Sequence, residues 1–343
     1  MHTPVELADN HVPISSDDRD RLIQYVFSHR KTAVQDFLRE RSLPIHGTKG
    51  EIRDRVEDQI DANEVSAEDL IALLDRVEGW GNQHVYMYDA PEGEMRVWKS
   101  EARAKARLKK MGHEELFNKR IPLVLPEEPT LSSVEWSSER VRFIWIEKRE
   151  WTQRREDLDQ EGSAVGVPST ISFKAYEDKI ARGITSFDWN LLTGSATLLI
   201  QRLPSGERYD ELRVNYESAL EEAVHIGDFS RTKITKAIKK LEKSTEVRNR
   251  QIAHETQRGG RVQFTSKSRK EDAFEDPDLK SSRDALGQTS SVLGNFYWQE
   301  KLPHLSREIH TKLYATDQRT GIFGECTEEE VQYVLSRIRH FSR

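Results

Sequence analysis

The chain has 343 residues, of which 33% are charged and 36% are hydrophobic. This length exceeds what one hydrophobic core usually serves, so we expect two or three structural units with a heavily solvated surface. Lys and Arg number 53 against 59 Asp and Glu, and the formal net charge of -6 excludes attraction of the whole chain to phosphate, so a polyanion would have to bind local patches.

The cysteine content and the apolar runs narrow the class of protein further. The single cysteine, Cys326, excludes an internal disulfide framework and a cysteine-based zinc site, and it fits a reducing compartment. No uncharged apolar stretch approaches the ~20 residues that a membrane helix needs, and the N-terminus lacks the basic and apolar regions of a secretory signal. We therefore expect an intracellular protein with no membrane contact, cytoplasmic or nucleoid-associated, or nuclear in a eukaryote.

Helical signals fill the N-terminal segment. The first helix has the acid-rich start DDRD, and acids favour the positive end of a helix. The fourth has Asp69 three residues after Ser66, which is typical of a capping box. The four predicted helices begin at Ser15 or Ser16, Thr32, Thr48 and Ser66. Residues 1–79 are therefore predicted to form an all-helical module.

Residues 80–128 are predicted to form a small connector. The segments HVYMY (84–88) and MRVW (95–98) have strand composition, and APEG between them is typical of a turn, so a β-hairpin is expected. Residues 100–111 return to a helical pattern with many basic side chains. Three prolines between positions 122 and 129 then break regular structure and predict a domain boundary.

The remaining residues, 129–343, mix strand and helix signals. Strands are expected at 140–148, 171–176 and 196–203, the last ended by a turn at PSGE, and helices at 209–224 and 229–247. Residues 258–290 are expected to form a mobile excursion around one short strand, 262–265. The C-terminal segment predicts strand, turn, strand and a helix that begins after Thr327. The predicted fold class is therefore α+β, with an N-terminal all-helical module followed by a larger mixed α+β body.

The stretch RERSLPIHGTKGEIRDRV, residues 39–56, joins the second predicted helix to the third. Gly47 permits a bend that a β-carbon would oppose, and Thr48 is placed to cap the helix that follows. Lys49 therefore lies beside a helix N-terminus, where free N–H groups and the helix dipole favour phosphate.

These residues resemble the SAP motif, a helix-extended-helix module that binds DNA. The matching positions are Leu38, Leu43, Pro44, Gly47, Thr48, Lys49, Ile52, Arg55 and Val56. The resemblance covers residues 32–61 and departs from the family at Gly50, where a helix former is usual. It implies contact with double-stranded DNA, mostly through phosphate and groove shape, with weak sequence preference. The phosphate contacts are expected from Arg39, Arg41, Thr48, Lys49 and Arg53.

A second basic surface is predicted in the run FSRTKITKAIKKLEK, residues 229–243. Ile234, Ile238 and Leu241 fall on one side of a helix, and lysines fall on the other. A face of one sign suits a phosphate backbone, and a solvated face on an acidic protein is an equal alternative. The lysines predicted to contact DNA here are Lys236, Lys240 and Lys243.

An enzymatic alternative is metal-dependent cleavage of a phosphodiester. Glu177 and Lys179 close a strand-like run, and Asp157 or Asp159 would share a Mg²⁺ with Glu177, in a pattern loosely similar to that of restriction-type nucleases. A chain that is one-third charged contains such acid-x-Lys triplets by chance. Motifs of the GxxxxGK[ST], GxGxxG and GxSxG types are absent from the sequence.

The sequence thus predicts a non-enzymatic DNA-binding protein that tethers a partner or an assembly to double-stranded DNA. No catalytic residue, metal ligand or cofactor is assigned. The α+β body, residues 129–343, is expected to bind a protein partner or to add a second DNA surface. Two alternatives remain open: a nuclease or the DNA-recruiting subunit of a nuclease or defence complex, and a protein-interaction module that does not bind nucleic acid.

Overall fold

The helices of this computed structural model lie within the residues that it describes, 16–163, 170–202 and 208–343. They are α1 (Ser16–Val26), α2 (Lys31–Glu40), α3 (Lys49–Asp61), α4 (Ala67–Val77), α5 (Glu92–Trp98), α6 (Glu101–Lys110), α7 (Tyr209–Val224), α8 (Thr235–Leu241), α9 (Pro277–Asp284) and α10 (Glu328–Ser342). None of these described helices is both long enough and apolar enough to cross a membrane.

The strands form one large antiparallel sheet and one small pair. They are β1 (Gly81–Asp89), β2 (Thr130–Trp136), β3 (Arg140–Arg154), β4 (Gln160–Ser163), β5 (Thr170–Phe173), β6 (Tyr176–Asn190), β7 (Ser195–Gln201), β8 (Ser230–Arg231), β9 (Val247–Thr256), β10 (Arg261–Thr265), β11 (Thr289–Trp298), β12 (Ile309–Tyr314) and β13 (Arg319–Glu325). The order in the large sheet is β10-β9-β11-β12-β13-β1-β7-β6-β3-β2, with β8 beside β1, and β4 pairs with β5. The predicted α+β class is confirmed.

Strand β1 occupies the middle of the large sheet. It pairs with β13 on one side and with β7 on the other, so its neighbours are remote in sequence. Residues 81–89, which the sequence analysis assigned to a connector, therefore take part in the sheet of the C-terminal body. The division into residues 1–79, 80–128 and 129–343 stays a prediction.

Helices α1 to α4 form the N-terminal module and agree with the four predicted helices, although Ser15 lies outside the described residues. Thr48 and Ser66 begin α3 and α4 through capping boxes with Glu51 and Asp69. The core of the module includes Leu22, Ile23, Phe37, Leu38, Ile52, Val56, Leu70 and Leu74. Local capping and a shared apolar core thus account for this segment.

The β-hairpin predicted over residues 84–98 is wrong. Its first half lies in β1, but its second half lies in α5, whose first turn contains Glu92 and Glu94. Acids are favourable at a helix N-terminus, and Trp98 at the end of the helix is fully buried. Burial of Trp98 on α5 therefore outweighs the strand propensity of MRVW.

The helix predicted over residues 229–247 is also wrong in extent. Only Thr235–Leu241 are helical, because Ser230 and Arg231 pair with β1 and Val247 begins β9. The backbone hydrogen bonds of the sheet therefore compete with the helix at both of its ends.

Three other predicted segments have mixed outcomes. Residues 258–290 contain β10, as predicted, and also α9, which Asp276 caps. The strand predicted over 171–176 is divided between β5 and β6, and the turn PSGE after β7 lies outside the described residues. The C-terminal strand, turn, strand and helix are confirmed, with a capping box at Thr327.

The large sheet separates two hydrophobic cores. On one face, α8 and α10 pack over side chains such as Val85, Phe296 and Leu313. On the opposite face, α5, α6 and α7 pack over β1, β2, β3, β6 and β7, around side chains such as Tyr88 and Phe143. This second core draws no residue from β9 to β13, so the three helices cover only half of that face.

Charged contacts join the helical module to the sheet at what we call the junction, formed by Arg30, Glu78, Arg182 and Glu325. The Arg30 backbone N–H donates to Glu325 Oε2 at 2.8 Å. Glu78, which follows α4, is buried with its Oε2 atom 3.3 Å from Arg182 Nη2. Burial raises the pKa of Glu78 to about 7, although the Arg182 guanidinium opposes this rise.

Candidate nucleic-acid interface

The start of α3 combines a glycine bend with a capped helix. Gly47 has a φ of +118°, and a β-carbon there would lie 2.9 Å from a Glu51 carboxylate oxygen, so the turn requires glycine. The Thr48 N–H donates to Glu51 Oε2 at 2.5 Å, and the Glu51 N–H donates to Thr48 Oγ1 at 3.2 Å. Within the described residues, the backbone N–H groups of Lys49 and Gly50 are left without an acceptor.

The extended linker before α3 is held from both flanking helices. Gln35 Nε2 of α2 donates to the Ile45 carbonyl at 2.9 Å. Arg55 Nη1 of α3 donates to the carbonyls of Pro44 and His46, each at 3.0 Å. Arg55, one of the positions that resemble the SAP pattern, therefore fixes the shape of the linker.

The three arginines predicted to contact phosphate are each paired with an acid. Their pairs are Arg39–Asp36, Arg41–Asp69 at 2.5 Å and Arg53–Glu57 at 2.9 Å. The Arg41 guanidinium also lies 4.0 Å from the centroid of the Phe37 ring. A phosphate would have to displace or share these carboxylates, so the three arginines offer less attraction than free cations would.

Two lysines of the module have no acidic partner among the residues described. Lys49 lies in the first turn of α3, and Lys31 lies in the first turn of α2. The Thr48 hydrogen bonds are the main reason that the pKa of Glu51 is lowered, and Arg55 and Lys31 lower it further. Lys31 therefore lies close enough to α3 to act on the same charge as the capping box.

Lys31 acts on Glu51 and Lys49 acts on His29, so the N-termini of α2 and α3 lie near each other. Arg39 lies at the other end of α2, about 12 Å from Lys31 along the axis at ~1.5 Å per residue. The structure therefore groups Thr48 and Lys49 with Lys31 and separates them from Arg39 and Arg41. Lys31 was not predicted to contact phosphate, because this helix was expected to begin at Thr32.

A histidine lies beside this lysine pair. Burial lowers the pKa of His29 to about 4, and the charges of Lys49 and Arg182 lower it further. The His29 imidazole is therefore neutral at pH 7, and the positive charge at this site comes from lysine and arginine.

The lysine face predicted on α8 is present and exposed. Ile234, Ile238 and Leu241 are fully buried beneath it. Glu242, the only acid of the run, points inward, with Oε2 3.4 Å from His254 Nε2. The exposed lysines, which have no acidic partner in the described part of the chain, are Lys233, Lys236, Lys239, Lys240 and Lys243. Because α8 packs against α10 and β11, this surface belongs to the sheet and not to the helical module.

The residues of the nuclease alternative form ion pairs. Arg155 lies 2.7 Å from both Glu177 Oε2 and Asp157 Oδ2, and Lys179 lies 2.6 Å from Glu177 Oε1. Asp159 pairs with Arg154 at 2.5 Å. The described residues contain no group of three His, Cys, Asp or Glu side chains that could hold a metal ion. The acids are thus neutralised by neighbouring cations, an arrangement that does not favour Mg²⁺.

Comparison with known proteins adds no family to these observations. The chain matches no protein-family model and no curated protein sequence.

Proposed function

We propose that this protein binds double-stranded DNA through its N-terminal helical module and tethers a partner or an assembly to it. The observation that carries the proposal is the lysine pair Lys31 and Lys49, two cations that form no ion pair with the described residues and that lie in the first turns of two neighbouring helix N-termini. Helix N-termini and lysines both favour phosphate oxygens.

The start of α3 offers donors as well as charge. The backbone N–H groups of Lys49 and Gly50 would donate to one phosphate, and the Lys49 ammonium would approach the same group. Space is available, since only Thr48 Oγ1 lies within 4.0 Å of a β-carbon placed on Gly50. Contacts of this kind read no base, so the expected sequence preference is weak.

The charge of the rest of the module limits the size of this contact. Acids outnumber bases in residues 16–79, so the remainder of its surface would repel DNA. With two lysines at the contact, log Kd should change with log salt concentration with a slope of magnitude about 2. The lysine face of α8, with Lys236, Lys240 and Lys243, would add a second phosphate contact on the C-terminal body.

A protein partner would dock on the C-terminal body, and one observation supports this part of the proposal. Large apolar side chains are exposed where β3 and β6 extend together and at their connection, namely Leu158, Phe173, Tyr176 and Ile180. Exposed apolar patches of this kind often mark protein interaction sites. A tether of this type would act where DNA is present, in the nucleoid or the nucleus.

The test is fluorescence anisotropy with a labelled duplex of about 30 base pairs at about 50 to 200 mM salt. Lys49→Glu should weaken binding about ten-fold, since it removes one phosphate contact and adds a repulsive charge. Lys280→Glu is the matched control, because Lys280 is exposed on α9 and has no acidic partner in the described residues. Equal affinities for wild type and Lys49→Glu, or no binding at low salt, would overturn the proposal and favour a protein-interaction module.

A further inference from the structure

Half of one sheet face is not covered by the second core. On β12, residues alternate between buried positions facing α8 and α10 and half-exposed positions on the opposite side. The half-exposed side chains of β12 lie beside those of β11 and β13 in the antiparallel register. We call this surface the open face and define it by Tyr297, His310, Lys312, Tyr314, Arg319 and Phe323.

A ladder of stacked rings crosses the open face. Tyr297 and His310 are stacked with centroids 4.7 Å apart, and His310 and Phe323 are stacked at the same distance. This spacing matches the ~4.8 Å between neighbouring strands, so each strand contributes one ring. Arginines close both ends, with Arg248 5.1 Å from the Tyr297 centroid and Arg202 5.3 Å from the Phe323 centroid.

A second set of rings holds further cations beside this ladder. The Arg319 guanidinium lies 4.4 Å from the Tyr314 centroid and 5.2 Å from the Tyr209 centroid. Lys312 Nζ lies 5.1 Å from the Tyr314 centroid. Aromatic faces attract cations without neutralising them, so Lys312 is held in place while its charge stays available.

The open face has an excess of positive charge. Arg202 and Lys312 have no acidic partner among the described residues, whereas Arg319 pairs with Asp317 at 3.2 Å and Arg248 pairs with Glu308 at 2.5 Å. Burial lowers the pKa of His310 to about 4, and Arg269, Lys312 and Arg202 lower it further. All three charges that act on this imidazole are cations.

The same excess acts on Lys312. Its pKa is lowered by burial first and then by Arg319 and Arg261, which are again cations. The open face therefore suits an anion or a polyanion.

Neutral hydrogen-bonding groups lie between these cations. His310 Nε2 lies 2.7 Å from Asn295 Oδ1, with the neutral imidazole as the donor, and this leaves the Asn295 amide N–H groups available. Gln251 and Lys312 are the register partners of Asn295 on its two neighbouring strands, so two amides and one cation lie side by side across the sheet. Uncharged groups of this kind can form hydrogen bonds with base edges. A surface made only of cations would contact phosphates and would not distinguish one base from another.

The width of this surface indicates whether it suits single-stranded or double-stranded nucleic acid. The five strands from β9 to β1 span about 19 Å at ~4.8 Å per strand gap. The major groove of DNA is only ~12 Å wide, so this sheet cannot enter it to reach base edges. Unpaired bases on a flexible strand have no such restriction.

We propose that the open face binds single-stranded nucleic acid, with Arg202, Lys312 and Arg319 contacting phosphates and Asn295 contacting bases. This inference does not rest on duplex binding by the helical module. It assigns to the C-terminal body a second nucleic-acid surface, distinct from the lysines of α8 on the other side of the sheet.

The test is fluorescence anisotropy of the full chain with a labelled oligothymidine of about 20 nucleotides, which forms no duplex and exceeds the ~4–16 nucleotides that a single binding module covers. The double variant Arg202→Glu/Lys312→Glu should bind at least about ten-fold more weakly, because it reverses the two cations that have no acidic partner. The control Lys110→Glu/Lys280→Glu makes the same charge change at exposed lysines of α6 and α9, and it should leave the affinity within about two-fold of wild type. Circular dichroism of each variant checks that it is folded.

This experiment tests the open-face proposal independently of duplex binding by the helical module. Lys49→Glu should keep oligothymidine binding, and Arg202→Glu/Lys312→Glu should keep duplex binding. The open-face proposal is overturned if wild type does not bind oligothymidine at low salt, or if the double variant and its control bind equally. It is also overturned if the double variant loses affinity for the duplex alone, since the open face would then be a duplex-binding surface.

Discussion

The helical module and the open face differ in what holds their cationic side chains in place. In the module, Arg39 and Arg53 are held by carboxylates on their own helices, so the field of each guanidinium is largely neutralised. On the open face, Arg202 and Lys312 are held by aromatic rings, and their charge remains. What holds a cation in place, more than the number of cations, therefore decides where a chain with a net charge of -6 can attract phosphate.

The largest effect is expected at the junction between these two regions. Glu78 has an ordinary pKa of 4.5 when unfolded and about 7 when folded. Between these values the folded chain keeps a proton that the unfolded chain has lost, so raising the pH favours unfolding. The free energy of unfolding of wild type minus that of Glu78→Gln should fall by about 2 to 3 kcal/mol between about pH 5 and about pH 8.

Chemical denaturation of both proteins at each pH measures this difference. Subtracting the variant removes the opposite contribution of His29, whose lowered pKa makes the fold less stable as the pH falls below 6.5. A difference that does not change with pH would show that Glu78 is ionised in the fold.

The next largest effect is expected on duplex affinity, where reversing unpaired cations of the module should cost more than reversing paired ones. Lys31→Glu/Lys49→Glu should weaken duplex binding about thirty-fold, since it reverses both unpaired lysines at the helix N-termini. The matched control, Arg39→Glu/Arg53→Glu, makes the same charge change at cations that already have acidic partners, and it should cost less than about three-fold. Equal losses in anisotropy titrations would mean that total charge, and not pairing, governs binding.

A smaller effect should follow from removing one ring of the ladder. Phe323→Leu keeps apolar bulk and removes the ring that holds Arg202, so oligothymidine affinity should fall about three-fold, in line with a cation–π contribution of ~0.5–1 kcal/mol. Phe341→Leu is the control, because Arg337 lies 5.1 Å from that ring on α10, away from the open face. If both variants bind oligothymidine with the wild-type affinity, the ladder does not position Arg202.

The smallest effect is expected at the α3 capping box. Glu51→Gln keeps an acceptor for the Thr48 N–H and removes a negative charge beside Lys49, so duplex affinity should rise about two-fold. The gain should disappear at high salt, since it is electrostatic. A loss of affinity would indicate that the Glu51 carboxylate is needed to shape the turn.

The features that the sequence predicted well depend on local contacts. Thr48, Ser66 and Thr327 each begin a helix whose cap partner lies three residues away, so the signal lies within one turn. The Gly47 bend is local in the same sense. Strand composition failed at α5, because the burial of Trp98 depends on a core assembled from distant strands.

The candidate sites were harder to predict because their partners are remote. Asp69, which pairs with Arg41, lies 28 positions after it in the sequence. No pattern in residues 39–56 indicates this partner. The alternation in β12 shows that one side is buried, but not that the other side lies beside Tyr297 and Phe323. The open face therefore becomes visible only when the register of β11, β12 and β13 is known.

The central position of β1 has a consequence for the order in which the chain can fold. The Gly324 N–H donates to Asn82 Oδ1 at 2.8 Å across 242 positions of sequence. At about 5–20 residues per second of synthesis, on the order of ten seconds or more separate the emergence of these two partners from the ribosome. The helical module, whose contacts are local, can fold during this interval. The part of the β1 edge that pairs with β13 must meanwhile stay unpaired, so we expect nascent chains that end before β13 to need protection from aggregation.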